Sequence, residues 1–182
     1  DFTYNDNLPW PMESGFPGYS LVLISDGTDV PDHGDAANWR SSAFLGGSPS
    51  GSDSVPMLGN GLDDDDQDGL RKLLEHALGT SDSDGGEGSS AIEIGLELFT
   101  VNSVEDSYVT ITFQRNVAAD DVDVRVETAT DLATWNSGES AAVLVSRVND
   151  GNGLSMVKYR SALPFSGNAV PAWFFRLVAQ AR

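Results

Sequence analysis

Cysteine is absent from the 182 residues, which excludes disulfides, zinc–thiolate sites and a cysteine nucleophile. Basic residues are scarce: 10 Lys and Arg stand against 28 Asp and Glu, a formal net charge of −18. Such a chain repels phosphate backbones, and no run of Lys and Arg offsets that, so nucleic acid is not an expected partner. Histidine occurs only as His33 and His76, neither beside a nucleophile motif, and there is no G-x-S-x-G elbow. The many carboxylates would permit glycosidase chemistry in principle, yet they fall in one metal-like run or on the wet faces of strands. The chain therefore reads as non-catalytic. No stretch approaches the roughly 20 apolar residues needed to cross a bilayer, so membrane insertion is not expected. With neither an initiator Met nor a signal peptide at Asp1, the expectation is a processed product or a piece of something longer.

What is present points to a folded protein. Apolar residues make up 40% of the chain, close to the globular norm, and the length suffices for one large or two small domains. The excess negative charge favours solubility and attracts divalent cations. Composition divides the chain into three regions. Residues 1–50 are rich in aromatics, Gly and Pro, with one clear strand from Tyr19 to Ile24. Residues 51–90 are rich in Ser, Gly and Asp and hold the one convincing helix. Residues 91–182 alternate like strands.

In the third region Ile92, Ile94, Leu96 and Leu98 alternate with Glu93, Gly95 and Glu97. Val109, Ile111 and Phe113 alternate with threonines, and Val122, Val124 and Val126 with charged residues. Ala142–Val148 is a more continuous apolar run closed by the turn signal Asn149-Asp150-Gly151. Met156–Arg160 and Trp173–Ala179 complete the set. Period-2 alternation gives each strand one wet and one dry face, the pattern of an antiparallel sandwich. The fold class expected is mainly β, an immunoglobulin-like or fibronectin-like sandwich with one short helix. That helix is expected from Leu70 to Leu78, because Leu70, Leu73, Leu74, Ala77 and Leu78 share one face, with Gly79 as its C-cap. His76 falls in the last turn, where an imidazolium complements the helix dipole.

Immediately before the helix, Asp64-Asp65-Asp66-Gln67-Asp68-Gly69-Leu70-Arg71-Lys72-Leu73-Leu74-Glu75 matches D-x-D-x-D-G-x5-E. Each position has a physical task. Asp64, Asp66 and Asp68 converge on one hard cation, and Gly69 permits the sharp turn. The Leu70 carbonyl adds an oxygen, and Glu75, a turn into the helix, can close the sphere bidentately. These oxygens suit calcium better than magnesium, which keeps its waters. The competing account is a solvated acidic run that favours the helix N-terminus; composition alone does not place Gly69 and Glu75 at those offsets. Asp63 is a weaker candidate from outside the loop. Asp82-Ser83-Asp84-Gly85 and Asn149-Asp150-Gly151-Asn152-Gly153 echo the theme but read as plain turns.

The loop resembles that of EF-hands, and the calcium loops of dockerins and thrombospondin type 3 repeats. It departs from the EF-hand in having no helix leading in, since residues 51–61 read as a linker. It also carries Arg71 at position 8, where an apolar residue is usual, and Lys72, which cannot coordinate, at position 9. The resemblance therefore implies a static loop-plus-helix site rather than a switch. Residues 1–50 resemble the closing half of a bacterial lamin-tail domain through Phe2-Thr3-Tyr4-Asn5-Asp6, Pro9-Trp10-Pro11, Gly18–Leu23, Asn38–Ser42 and Gly46–Pro49. The end of the chain resembles terminal immunoglobulin-like modules through Val124–Glu127, Leu132–Trp135 and Trp173–Leu177. These resemblances imply a non-catalytic, secreted or cell-surface bacterial protein with a structural or adhesive task.

The opening strands of a lamin-tail domain are missing, and an unpaired sandwich half exposes strand edges and apolar faces. The half then pairs with the terminal β region, is a fragment, or receives a strand from a neighbouring copy. The last makes copies of the chain its own partner, in a fibre built by strand exchange. The rival reading is a carbohydrate-binding accessory region of a secreted hydrolase, with surface glycans as partners. Trp10, Trp39, Trp135 and Trp173 are its candidate platforms; Trp39 and Trp173 lie beside strand signals as core residues do, and Trp135, near a turn, is the one expected to be open.

Overall fold

A computed structural model describes residues 3–4, 7, 9–11, 18–24, 32–165 and 172–182. Phe2, Asn5 and Asp6 of the lamin-tail-like signature lie outside the described residues. The protein is mainly β. Its elements are β1 (Leu21–Leu23), β2 (Trp39–Ser41), α1 (Lys72–Leu78), β3 (Ile92–Val101), β4 (Val104–Asn116), β5 (Val122–Ala129), β6 (Asn136–Ser137), β7 (Ala142–Asn149), β8 (Leu154–Ser161) and β9 (Phe174–Ala181). All strand pairings among them are antiparallel. One sheet runs β3-β4-β8-β7, a second β6-β5-β9, and β1 pairs with β2 separately.

The alternating residues explain how the two larger sheets close on one another. Ile111 and Phe113 of β4 lie opposite Tyr159 and Val157 of β8, so their side chains share one face. Val126 of β5 lies opposite Leu177 of β9. These residues meet in a single core with Ala142, Leu144, Val124 and Phe175, which makes the arrangement a sandwich. The β3–β4 connection is the two-residue turn Asn102-Ser103 with φ of 51° and 66°, the left-handed pair whose twist matches a tight hairpin.

Helix α1 belongs to this core. Leu78 is fully buried within it, and Leu70 and Leu74 pack against it. The apolar stripe is longer than the helix, because Arg71 is still extended (φ −90°, ψ 148°) and only Lys72–Leu78 is helical. Gly79 ends it at φ 77°, donating its N–H to the Glu75 carbonyl at 2.7 Å, as a left-handed C-cap should. Three successive β4 side chains then take up the last carbonyls of the helix. Gln114 Nε2 donates to Leu78 at 3.0 Å, Arg115 Nη1 to Ala77 at 2.8 Å and Asn116 Nδ2 to His76 at 3.1 Å. These acceptors would otherwise be orphaned at a buried helix end, so the helix is fixed in position as well as in depth.

Two findings differ from the alternation read in the sequence. Ile94, Leu96 and Leu98 on β3 are more than half exposed, although they share the face of Ile92, which packs on the core. β3 is an edge strand of the four-stranded sheet, and the three-stranded sheet opposite is too narrow to cover it. Asp53, in the stretch read as a linker, is buried. Its carboxylate receives Arg40 Nη2 at 2.7 Å and the Ala43 N–H at 2.7 Å, while Arg40 Nε reaches Asp120 Oδ1 at 2.5 Å. This ion triad ties the first region to the sandwich. Asn149 Nδ2 donating to the Ser42 carbonyl at 3.1 Å and a β-bridge between Phe44 and Asn152 reinforce it.

Candidate metal centre

The turn that precedes α1 is shaped by its own side chains. Asp66 Oδ1 accepts the Asp68 N–H at 3.2 Å, Asp68 Oδ1 the Leu70 N–H at 2.7 Å, and Asp64 Oδ2 the Gly69 N–H at 3.2 Å. Gly69 has φ 93°, a left-handed conformation that glycine adopts without strain. This folding brings carboxylate oxygens of Asp64, Asp66 and Asp68 within 4.8 Å of one another. Of the remaining predicted residues, Leu70 turns its side chain to the sandwich core, and Glu75 lies outside that tight triad.

Glu75 is nevertheless part of the same electrostatic site. It is 1% exposed, and neither of its carboxylate oxygens has a hydrogen-bond partner. Burial, then the charges of Asp66, Asp68, Asp82 and Asp64, push its pKa up to about 7. One oxygen each of Asp64 and Asp66 is likewise buried and unpartnered, as is Thr80 Oγ1. Buried carboxylates without partners are costly, and a fold tolerates them when something of opposite charge satisfies them. The two basic residues at positions 8 and 9 do not do so. Arg71 is exposed, and Lys72 turns away, pairing with Asp82 at 2.5 Å and Asp65 at 3.2 Å. Those hydrogen bonds, to Asp82 first and Asp65 second, raise the Lys72 pKa to about 12. Lys72 therefore lies outside the oxygen cluster of the loop. Asp63 is engaged with Asn60 Nδ2 at 2.7 Å.

Sequence reasoning missed the loop at 80–88 as part of this site. A Cβ on buried Gly88 would collide with Asp68 Oδ2 and the Leu70 side chain, and Gly85 lies against Asp66 and Asp68. The only sequence signal was the Asp82-Ser83-Asp84-Gly85 echo. Its Asp84 turns its carboxylate onto the Gly86 N–H at 3.1 Å, and Asp150 does the same to Asn152 at 2.7 Å, so both are occupied as turns. His76 pairs with Asp121 through Nε2 at 3.0 Å. Burial opposes ionisation of Asp121, yet the Met57 N–H and His76 hold its carboxyl below the usual range.

Of the aromatic candidates, Trp10 and Trp39 take structural positions, and Trp173 is partly buried with its indole N–H buried and unpartnered. Trp10 is buried and lies 6.5 Å from Trp39, whose Nε1 donates to the His33 carbonyl at 3.0 Å. Trp135 is half-buried, with the Arg176 guanidinium 4.1 Å from its ring centre, so that ring is not the open platform expected. Among the described residues no helix is long and apolar enough to cross a membrane. No protein-family model matches the chain, and neither curated proteins nor solved structures give a significant match.

Proposed function

We propose that this protein is a non-catalytic, calcium-stabilised extracellular module with a structural or adhesive task. The observation that carries the reading is Glu75: a fully buried carboxylate with two unpartnered oxygens, next to three converging aspartates. In this reading Asp64, Asp66, Asp68 and Glu75 hold the ion with the Leu70 carbonyl. The oxygen-only donor set fits a hard cation that tolerates irregular, high coordination. Because α1 is fixed into the core, an ion bound there joins the loop to the sandwich and limits local opening. The lamin-tail resemblance is consistent with this role and adds the secreted or cell-surface setting.

Titration calorimetry tests the reading. One calcium ion should bind per chain, Asp66→Ala should abolish the heat of binding, and Gly88→Ala should weaken affinity at least ~10-fold by displacing Asp68, an effect of the size usual for outer-shell changes. Absence of calcium binding by the folded wild type would end the proposal. A self-assembling role gains support from one further observation. Among the described residues β3 leaves one edge unpaired over ten residues, with Ile94, Leu96 and Leu98 open beside it, and an uncovered edge of this kind templates strand addition from another copy. Sedimentation in calcium should then show concentration-dependent oligomers; monomers at every concentration would rule the assembly out.

A further inference from the structure

A second site lies at the seam between the first region and the sandwich, remote in character from the acidic loop. A pocket of about 290 Å³ is lined by Trp39, Arg40, Arg115, Arg147 and Arg182, with Asp120 and Asp123. Four of the ten basic residues of a protein with net charge −18 therefore converge on one cavity. Two of them are neutralised: Arg40 by Asp53 and Asp120, and Arg182 by Asp123 at 2.5 Å. The other two are not. Arg115 spends Nη1 and Nη2 on the carbonyls of Ala77, Ala119 and Val122 and has no carboxylate within ion-pair distance among the described residues. Arg147 is half-buried and makes no hydrogen bond or ion pair with the described residues. Burial, then Arg147 and Arg182, depress the Arg115 pKa to about 10, so these cations share one electrostatic environment.

The position of Arg147 is the product of a specific backbone feature. Along β7, Ala142 and Leu144 face the core. A bulge between Leu144 and Ser146 then shifts the register, setting Arg147 opposite buried Val157 and Val148 opposite exposed Met156. Without the bulge, strict alternation would turn Val148 inward and Arg147 to solvent. With it, Val148 is 61% exposed and an unpaired guanidinium takes the inner face. A bulge that re-aims a side chain in this way sacrifices apolar burial, and bulges of that kind concentrate next to functional sites.

We propose that this pocket binds a small organic carboxylate, which supplies the counter-charge that Arg115 and Arg147 lack. The planar guanidinium matches the carboxylate fork. The cavity lies at the lower end of small-molecule pockets, about 300–1,000 Å³, and its apolar wall of Pro9, Ile24, Ala36 and Trp39 suits a carbon skeleton better than a bare inorganic anion. The proposal does not depend on the calcium reading.

The test uses the full chain in saturating calcium at constant ionic strength, with D-galacturonate, D-galactose and sulfate as probes in calorimetry and thermal melts. Galacturonate should bind saturably and raise the melting temperature; galactose, the same ring without the carboxylate, should not bind. Arg147→Gln should weaken galacturonate binding about 10-fold or more, the loss of one charge-assisted hydrogen-bonding partner. Without ligand it should melt at or above the wild type, because a half-buried unpaired cation has been removed. If that variant fails to fold, Arg147→Lys keeps the charge, loses the fork and should still weaken binding. Absence of saturable galacturonate binding, equal binding by the Arg147 variants, or sulfate binding as tightly as galacturonate would each overturn the proposal.

Discussion

Arg40→Ala should destabilise the protein by about 3–5 kcal/mol, because it strands two buried carboxylates rather than removing one surface pair. Arg40 is 7% exposed, Asp53 8% and Asp120 6%, so water replaces the lost cation only in part. The bidentate Arg40–Asp120 contact and the Arg40–Asp53 bond are also what fasten β2 and residue 53 to the start of β5. The damage should therefore be local as well as global: hydrogen exchange in residues 39–53 should rise before that in β4 and β8. Arg40→Ala combined with Asp120→Asn should recover part of the loss, since one stranded charge is gone and the two sites are coupled.

The same triad sets a pH signature. Burial opposes ionisation of Asp53, but the hydrogen bonds from Arg40 and the Ala43 N–H outweigh it and hold its pKa below the ordinary value. A carboxylate depressed on folding contributes fully above its unfolded pKa of about 4 and loses that contribution as pH falls through the lower folded value. The gap between wild type and Arg40→Ala in chemical denaturation should thus narrow as the pH falls, first as the stranded carboxylates of the variant take up protons and then as wild-type Asp53 is protonated. A gap that widened with acid would show that the triad is not the source of the difference.

Calcium removal should have the second large effect, and the effect of Glu75→Gln should change sign with it. An ion that binds only the folded state stabilises it by about 2.7 kcal/mol at a hundredfold excess over its dissociation constant. For a protein of this size that is a melting shift of about 5–10 °C, lost on adding a chelator. In chelator the wild type retains a buried carboxylate with no partner beside three others. Glu75→Gln keeps the shape and removes the charge, so in chelator it should melt above the wild type, and in calcium below it. Two melting curves that keep the same order in both buffers would show that Glu75 is no ligand. The crossing matters because a merely structural glutamate gives a loss in both conditions.

Sequence alone carried the strands and the convergence of Asp64, Asp66 and Asp68 well, for a reason visible in particular residues. Ile111, Phe113, Val124 and Val126 alternate with polar neighbours, and period-2 burial is a local property of an extended chain. The turn was legible because three aspartates at two-residue spacing precede Gly69, and because short-range Asx hydrogen bonds shape it. What the sequence did not show is where Lys72 goes, since its partner Asp82 lies ten residues away and only the fold brings them together.

By itself, then, the order of residues determined which segments are extended, where the one helix stops, and which carboxylates gather before it. Local sterics and side-chain-to-backbone bonds act over a few residues and need no knowledge of the rest. Only the tertiary structure decided that Glu75 is sealed from water, that Leu96 and Leu98 are left uncovered, that Asp53 meets Arg40, and that a bulge turns Arg147 inward. Those facts depend on what packs opposite, on the width of the facing sheet and on register across strands. They are set by long-range burial and charge, which no window of neighbouring residues contains.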